Sequence, residues 1–220
     1  IGRWYDRFPD ARFYCMFPNM LGGHRLRNGL KLGTERWQTA MGEWVTAIVE
    51  HAQERDIEPE RLCLLLVDEP SSEKNEQLII DCAQALKQAQ SRITVFEDPV
   101  RPDPTQALQE MYDVSDILCP NLPRLMTGGQ RAVEFYQEQQ RAGKRLFIYQ
   151  CSGPHKLLDP HTYHRLESWH AWRLGATGIG FWGYIDNRPT GSSWDNFKCG
   201  GTSYSLVYAD NRLLADSRQW

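Results

Sequence analysis

The chain has 220 residues, with 25 Lys and Arg against 28 Asp and Glu, a net charge of −3. Its basic residues are scattered rather than clustered, which excludes nucleic acid as the expected partner. No apolar run is long enough to cross a membrane, and the length suffices for one α/β domain with a real core, taken as residues 1–220.

The repeating unit is strand, loop, helix. Residues 13–17 read as a strand, and Thr34 caps a predicted helix whose apolar positions Trp37, Met41, Val45, Ile48, Val49 and Ala52 keep nearly a 3.6 period. Residues 62–67 form the next strand, and Ile79, Cys82, Ala83 and Leu86 mark the inner face of the helix after it. A strand at 93–96, a short helix at 104–111 and a short strand at 116–119 follow. A helix over 130–142 ends at Gly143 and leads into a strand at 146–150. Asp159-Pro160 is a helix start, with Pro at the first helical position, and Gly175 ends that helix. Residues 178–182 are the last clear strand, with one more short strand expected at 205–208.

Strands alternating with helices imply a parallel sheet. Most strands end in polar or aromatic residues, Asn19, Asp68, Glu97, Asn121, Gln150 and Tyr184, as the mouth of a (β/α)8 TIM-type barrel would require. A full barrel takes about 250 residues, so the chain reads as an incomplete one, its C-terminal three-quarters. No dinucleotide fingerprint follows the first strand, and no His/Asp/Glu spacing resembles a metal site, so no cofactor is expected. The glycines of 175–180 lie between a helix and a strand and read as a tight turn. The six cysteines form no CxxC pair, and Cys63, Cys119 and Cys151 read as small core residues.

The acidic pair Asp68-Glu69, closed by Pro70, stands at the end of the apolar run 63–67. Such a run is a buried strand, and two carboxylates beside a core are costly unless they have a task. Ser71-Ser72 then offers a helix cap. A glycosidic oxygen leaves poorly unless protonated, which makes Glu69 the general-acid candidate; a neighbouring carboxylate disfavours double ionisation. Adjacent strand residues point to opposite faces, so a twist or bulge must bring both to one substrate; otherwise Asp68 caps or forms an ion pair. The late strands end in Gln150 and in Trp182-Gly183-Tyr184, and neither supplies a Glu as second carboxylate; Asp186 lies farther on. Lack of a nucleophile favours substrate assistance, in which the sugar's own acetamide attacks the anomeric carbon.

Residues 67–70, residues 146–151, residues 172–182 and the ending 206–208 with 217–220 resemble the catalytic domain of glycoside hydrolase family 123 and its uncharacterised relatives. The resemblance implies a β-N-acetylgalactosaminidase-like barrel, a carbohydrate substrate, and a secreted or periplasmic setting. It assigns acetamide orientation to Asp68 and acid/base catalysis to Glu69. Around them, Tyr149 and Tyr184 are candidate hydrogen-bonding groups, Trp182 and Trp194 a candidate stacking floor, and Asn121 a strand-end substrate contact; core packing is the competing reading for the aromatics. His155 is a weaker contact candidate, and His170 reads as a surface or interface residue. Two other functions stay open: an ordinary two-carboxylate glycosidase with Glu69 as acid, and a non-catalytic carbohydrate-binding barrel.

Overall fold

A computed structural model of the chain describes residues 2–18, 20, 29–151, 165–183, 207–209 and 214–216. Its elements are α1 (Gly2–Arg7), β1 (Tyr14–Met16), α2 (Glu35–Gln53), β2 (Leu62–Leu65), α3 (Glu73–Ala89), β3 (Thr94–Glu97), α4 (Gln109–Val114), β4 (Ile117–Leu118), α5 (Leu122–Arg141), β5 (Arg145–Gln150), α6 (Leu166–Leu174), β6 (Gly178–Phe181), β7 (Val207–Ala209) and β8 (Leu214–Asp216). Strands β1 to β6 form one parallel sheet in chain order. A doubly wound sheet reverses its strand order part-way; the unreversed order here is that of a TIM-type barrel. Among the described residues, no helix is long and apolar enough to cross a membrane.

The sheet curls. Phe13, just before β1, lies 6.1 Å from Phe147 on β5, ring centroid to ring centroid. In a flat sheet four strand spacings would separate those strands by about 19 Å. Phe96 of β3 meets the same Phe147 ring, and the Arg145 guanidinium lies 4.8 Å from the Phe13 ring centre. The concave side of this half-barrel is thus plugged by aromatic rings, and the mouth lies at the strands' C-terminal ends.

Helices α2 and α3 cover the convex side. Trp37, Met41, Val45, Val49 and Ala52 of α2 are buried, as are Ile79, Cys82, Ala83 and Leu86 of α3, with Leu62, Leu64, Leu66 and Val67 beneath them. The 3.6-period stripes therefore face the sheet as expected, with Ile48 only partly covered. The Thr34 and Ser72 side chains cap these helices by accepting from the amides of Trp37 and Asn75.

Several boundaries differ from expectation. The segment 104–111 is a 3-10 turn at Pro104–Gln106 and then α4, because Leu108 is extended and donates its amide to the buried carboxylate of Glu76. Helix α5 starts at Leu122, eight residues before the expected 130, because Asn121 caps it and Pro123 occupies its first turn. Gly129, at φ 65° and ψ −153°, breaks it. The short strand β7 pairs antiparallel with β8 and does not join the parallel sheet. Gly175 ends α6 in the left-handed conformation, as the glycine pattern implied.

Candidate active site

The site begins where the β2 ladder stops. β2 and β3 are in register through Leu65 and Phe96. Beyond this point the side chains of β3 take over from its backbone. Glu97 Oε1 accepts from the Leu66 amide at 3.1 Å. Asp98 Oδ1 accepts from the Glu69 amide at 2.9 Å. Glu69 itself sits at φ 49°, a left-handed conformation that costs a non-glycine residue about 1–2 kcal/mol. This local turn supplies the reorientation that the adjacent pair requires. Pro70 and the Ser72 cap then start α3.

The two carboxyls of the pair take different partners. Glu69 Oε1 accepts from the Tyr149 hydroxyl at 2.5 Å and from the Cys151 thiol at 3.6 Å. Asp68 faces the carboxyl of Asp98, which acts on it electrostatically. Asn121 supports this cluster from behind: it lies across a parallel backbone bridge from Tyr149, donates through Nδ2 to Cys151 Sγ at 3.6 Å, and accepts the Arg124 amide as the cap of α5. It is buried, so its place is in the supporting network.

Burial sets the electrostatics. Desolvation, reinforced by the charges of Asp68 and Glu69, pushes the Asp98 carboxyl up to about 8 against the pull of the Glu69 amide. Asp68 is raised by desolvation and by the Glu69 charge, while the neighbouring Asp98 carboxyl lowers it. Glu97 is raised far above the usual carboxyl range by complete burial, and its Oε2 is buried with no partner among the described residues. Tyr149 is raised by desolvation and by its bond to Glu69. The mouth therefore presents an exposed carboxyl at Asp68 and a half-buried one at Glu69, backed by the buried carboxyl of Asp98, which is pushed up to about 8. That arrangement suits proton transfer combined with stabilisation of a developing positive charge. Among the described residues, no group of His, Cys, Asp or Glu is arranged to hold a metal ion.

The structure thus brings together Asp68, Glu69, Tyr149 and Asn121 of the residues expected in the site. Trp182 follows β6, the strand beside Tyr149, and is 57% exposed. Tyr184, Trp194, Asn19, His155 and Asp186 lie outside the described residues. His170 is on α6, half-buried and away from the cluster's hydrogen bonds. Cys151 is not a core filler: it is partly exposed and touches Glu69, whereas Cys63 and Cys119 are buried as expected. Asp98 was missed, although the segment Glu97-Asp98-Pro99 repeats the acid-acid-proline pattern of 68–70 at the end of the next strand.

No protein-family model matches the chain. No curated protein matches it either. Among solved structures it is similar to a family 123 glycoside hydrolase from Clostridium perfringens, described for glycolipid glycan hydrolysis, with a TM-score of 0.60 at 13% identity. That match covers 87% of this chain and 34% of the other, so the chain spans about a third of that enzyme's length. It also matches a psychrophilic family 10 endo-β-1,4-xylanase (12% identity, 80% of this chain and 66% of the other, TM-score 0.46). A third match is an endo-1,4-β-xylanase from Caldicellulosiruptor owensensis (17% identity, 79% and 64%, TM-score 0.47). At these identities the likeness is one of fold, and it rests on the first of the three.

Proposed function

We propose that the chain is part of a glycoside hydrolase barrel that cleaves terminal N-acetylhexosaminides by a retaining, substrate-assisted route. The observation that carries this reading is the turn at the mouth of the half-barrel. It hands Glu69 to Tyr149 and Asp68 to Asp98, giving adjacent carboxyls two separate tasks.

In the first step Glu69 gives its proton to the glycosidic oxygen as the anomeric C–O bond breaks. The carbonyl oxygen of the 2-acetamido group forms the new bond to the anomeric carbon from the opposite face. Asp68 accepts the acetamide N–H and stabilises the positive charge of the oxazolinium. In the second step Glu69 takes a proton from water, which attacks the anomeric carbon and reopens the ring with net retention. A separate carboxylate nucleophile is not required. Tyr149 holds the Glu69 carboxyl in place, and the exposed Trp182 ring supplies a contact to the sugar.

Paired aryl glycosides with and without the 2-acetamido group test this reading in the intact protein. kcat/KM should favour the acetamido sugar strongly, and Asp68→Asn should lower it by about 10²–10³ without loss of fold. Glu69→Gln should remove about 10²–10⁴ of the rate on poor leaving groups and spare good ones. Comparable rates on the two sugars would replace substrate assistance with an ordinary two-carboxylate mechanism. Sugar binding without cleavage of any aryl glycoside would point to a binding barrel.

A further inference from the structure

We propose that Asp98 is the positioning residue of the acid pair: one oxygen holds the Glu69 amide, and its carboxyl proton is donated to Asp68, which keeps Asp68 ionised and aimed at the substrate. This deepens the reading above and rests on the roles given there to Asp68 and Glu69.

Three features carry it. The first is the backbone. Glu69 is held at φ 49°, and the Asp98 bond to its amide at 2.9 Å is the contact that fixes that turn. The second is proton counting. Asp68 and Asp98 act on each other with four acceptor oxygens and no donor between them, so a bond between the two carboxyls requires one proton. The third is burial, which decides where the proton resides. Asp98 is 7% exposed while Asp68 reaches solvent. Charge is cheaper on the solvated partner, so Asp98 is neutral and Asp68 is the anion.

The groups facing Asp98 reinforce that assignment. They are Asp68 and Glu69 from the turn after β2, Cys119 after β4, Tyr149 on β5, and its neighbour Glu97. All are acids, and among the described residues no ion pair reaches Asp98, Asp68 or Glu69. The carboxyl of Asp98 accordingly titrates near 8. Above that pH the proton is lost, the hydrogen bond becomes a repulsion between two anions, and Asp68 swings away from its aim. Glu97 braces the same segment one step earlier through the amide of Leu66.

The isosteric amide separates this role from an ionised one. In Asp98→Asn, Oδ1 still accepts from Glu69 and Nδ2 still donates to Asp68. The variant should keep kcat within about threefold of the parent near pH 6 and retain activity above pH 8, where the parent falls. Asp98→Ala should lose about 10–100-fold, mainly in kcat, because positioning is lost while the sugar contacts remain. An infrared difference spectrum gives a second readout that needs no substrate. The parent should show a protonated-carboxyl C=O band that Asp98→Asn removes and that vanishes on titration through about pH 8. An Asn variant as impaired as the Ala variant, or a spectrum without that band, overturns the proposal. If the parent cleaves no N-acetylhexosaminide, the functional reading fails and the infrared band alone decides the place of the proton.

Discussion

Asp98→Asn should also stabilise the fold, and by an amount that depends on pH. The folded carboxyl titrates near 8, whereas in the unfolded chain an aspartate titrates near its free value of about 3.9. A folded value raised above the unfolded one means that the native state binds the extra proton. The contribution of Asp98 to stability is therefore fully present below about pH 3.9 and is lost as pH rises towards 8. At pH 7 the loss is roughly 4 kcal/mol, at about 1.4 kcal/mol per pH unit. The side chain is only 7% exposed, so solvent screening takes little from that figure. Asparagine cannot ionise and keeps both hydrogen bonds. The variant should match the parent near pH 4 and exceed it by up to roughly 4 kcal/mol at pH 7. Urea unfolding at pH 4.5, 6 and 7.5 measures this through the midpoint, with m unchanged. A difference that does not grow with pH, or an Asn variant less stable than the parent at pH 7, would refute the assignment of a neutral Asp98.

Three further outcomes follow from the same structure. Tyr149→Phe deletes the hydroxyl that donates to Glu69 at 2.5 Å; a hydrogen bond to a charged group contributes about 1.5–3 kcal/mol, so kcat/KM on an aryl N-acetylhexosaminide should fall about 10–100-fold, and an unchanged rate would remove Tyr149 from the site. Gly128→Ala drives a Cβ into the Pro102 carbonyl oxygen, a backbone atom, while Gly178→Ala sets one 2.5 Å from the Phe147 ring. Both should destabilise by about 1–3 kcal/mol or more, but only the second should be relieved by Phe147→Ala in a double-mutant cycle of urea midpoints. Ser72→Ala removes the cap that accepts from Asn75 and should cost about 1 kcal/mol in the same assay; no change would mean that the α3 start is held by its packing.

The sequence alone determined the alternation of strands and helices, the buried stripes of α2 and α3, the caps at Thr34 and Ser72, and the position of Asp68-Glu69 just past a strand. These properties are local: periodicity, capping and turn chemistry act over a few residues and leave their pattern in the chain. The fold class was legible for the same reason, because short βα units imply parallel neighbours.

The composition of the site was decided by tertiary structure. Tyr149 meets Glu69 across 80 positions only because the sheet curls, and curl accumulates from strand to strand without a marker in any one of them. Asp98 joins the pair through the register of β2 with β3, which places the second acid-acid-proline segment beside the first. The break at Gly129 and the pairing of β7 with β8 likewise depend on what lies opposite in space. A buried carboxyl looks the same in sequence as a solvated one. Its protonation follows from the water it loses and the charges it faces, and both are set when distant strand ends converge on one mouth.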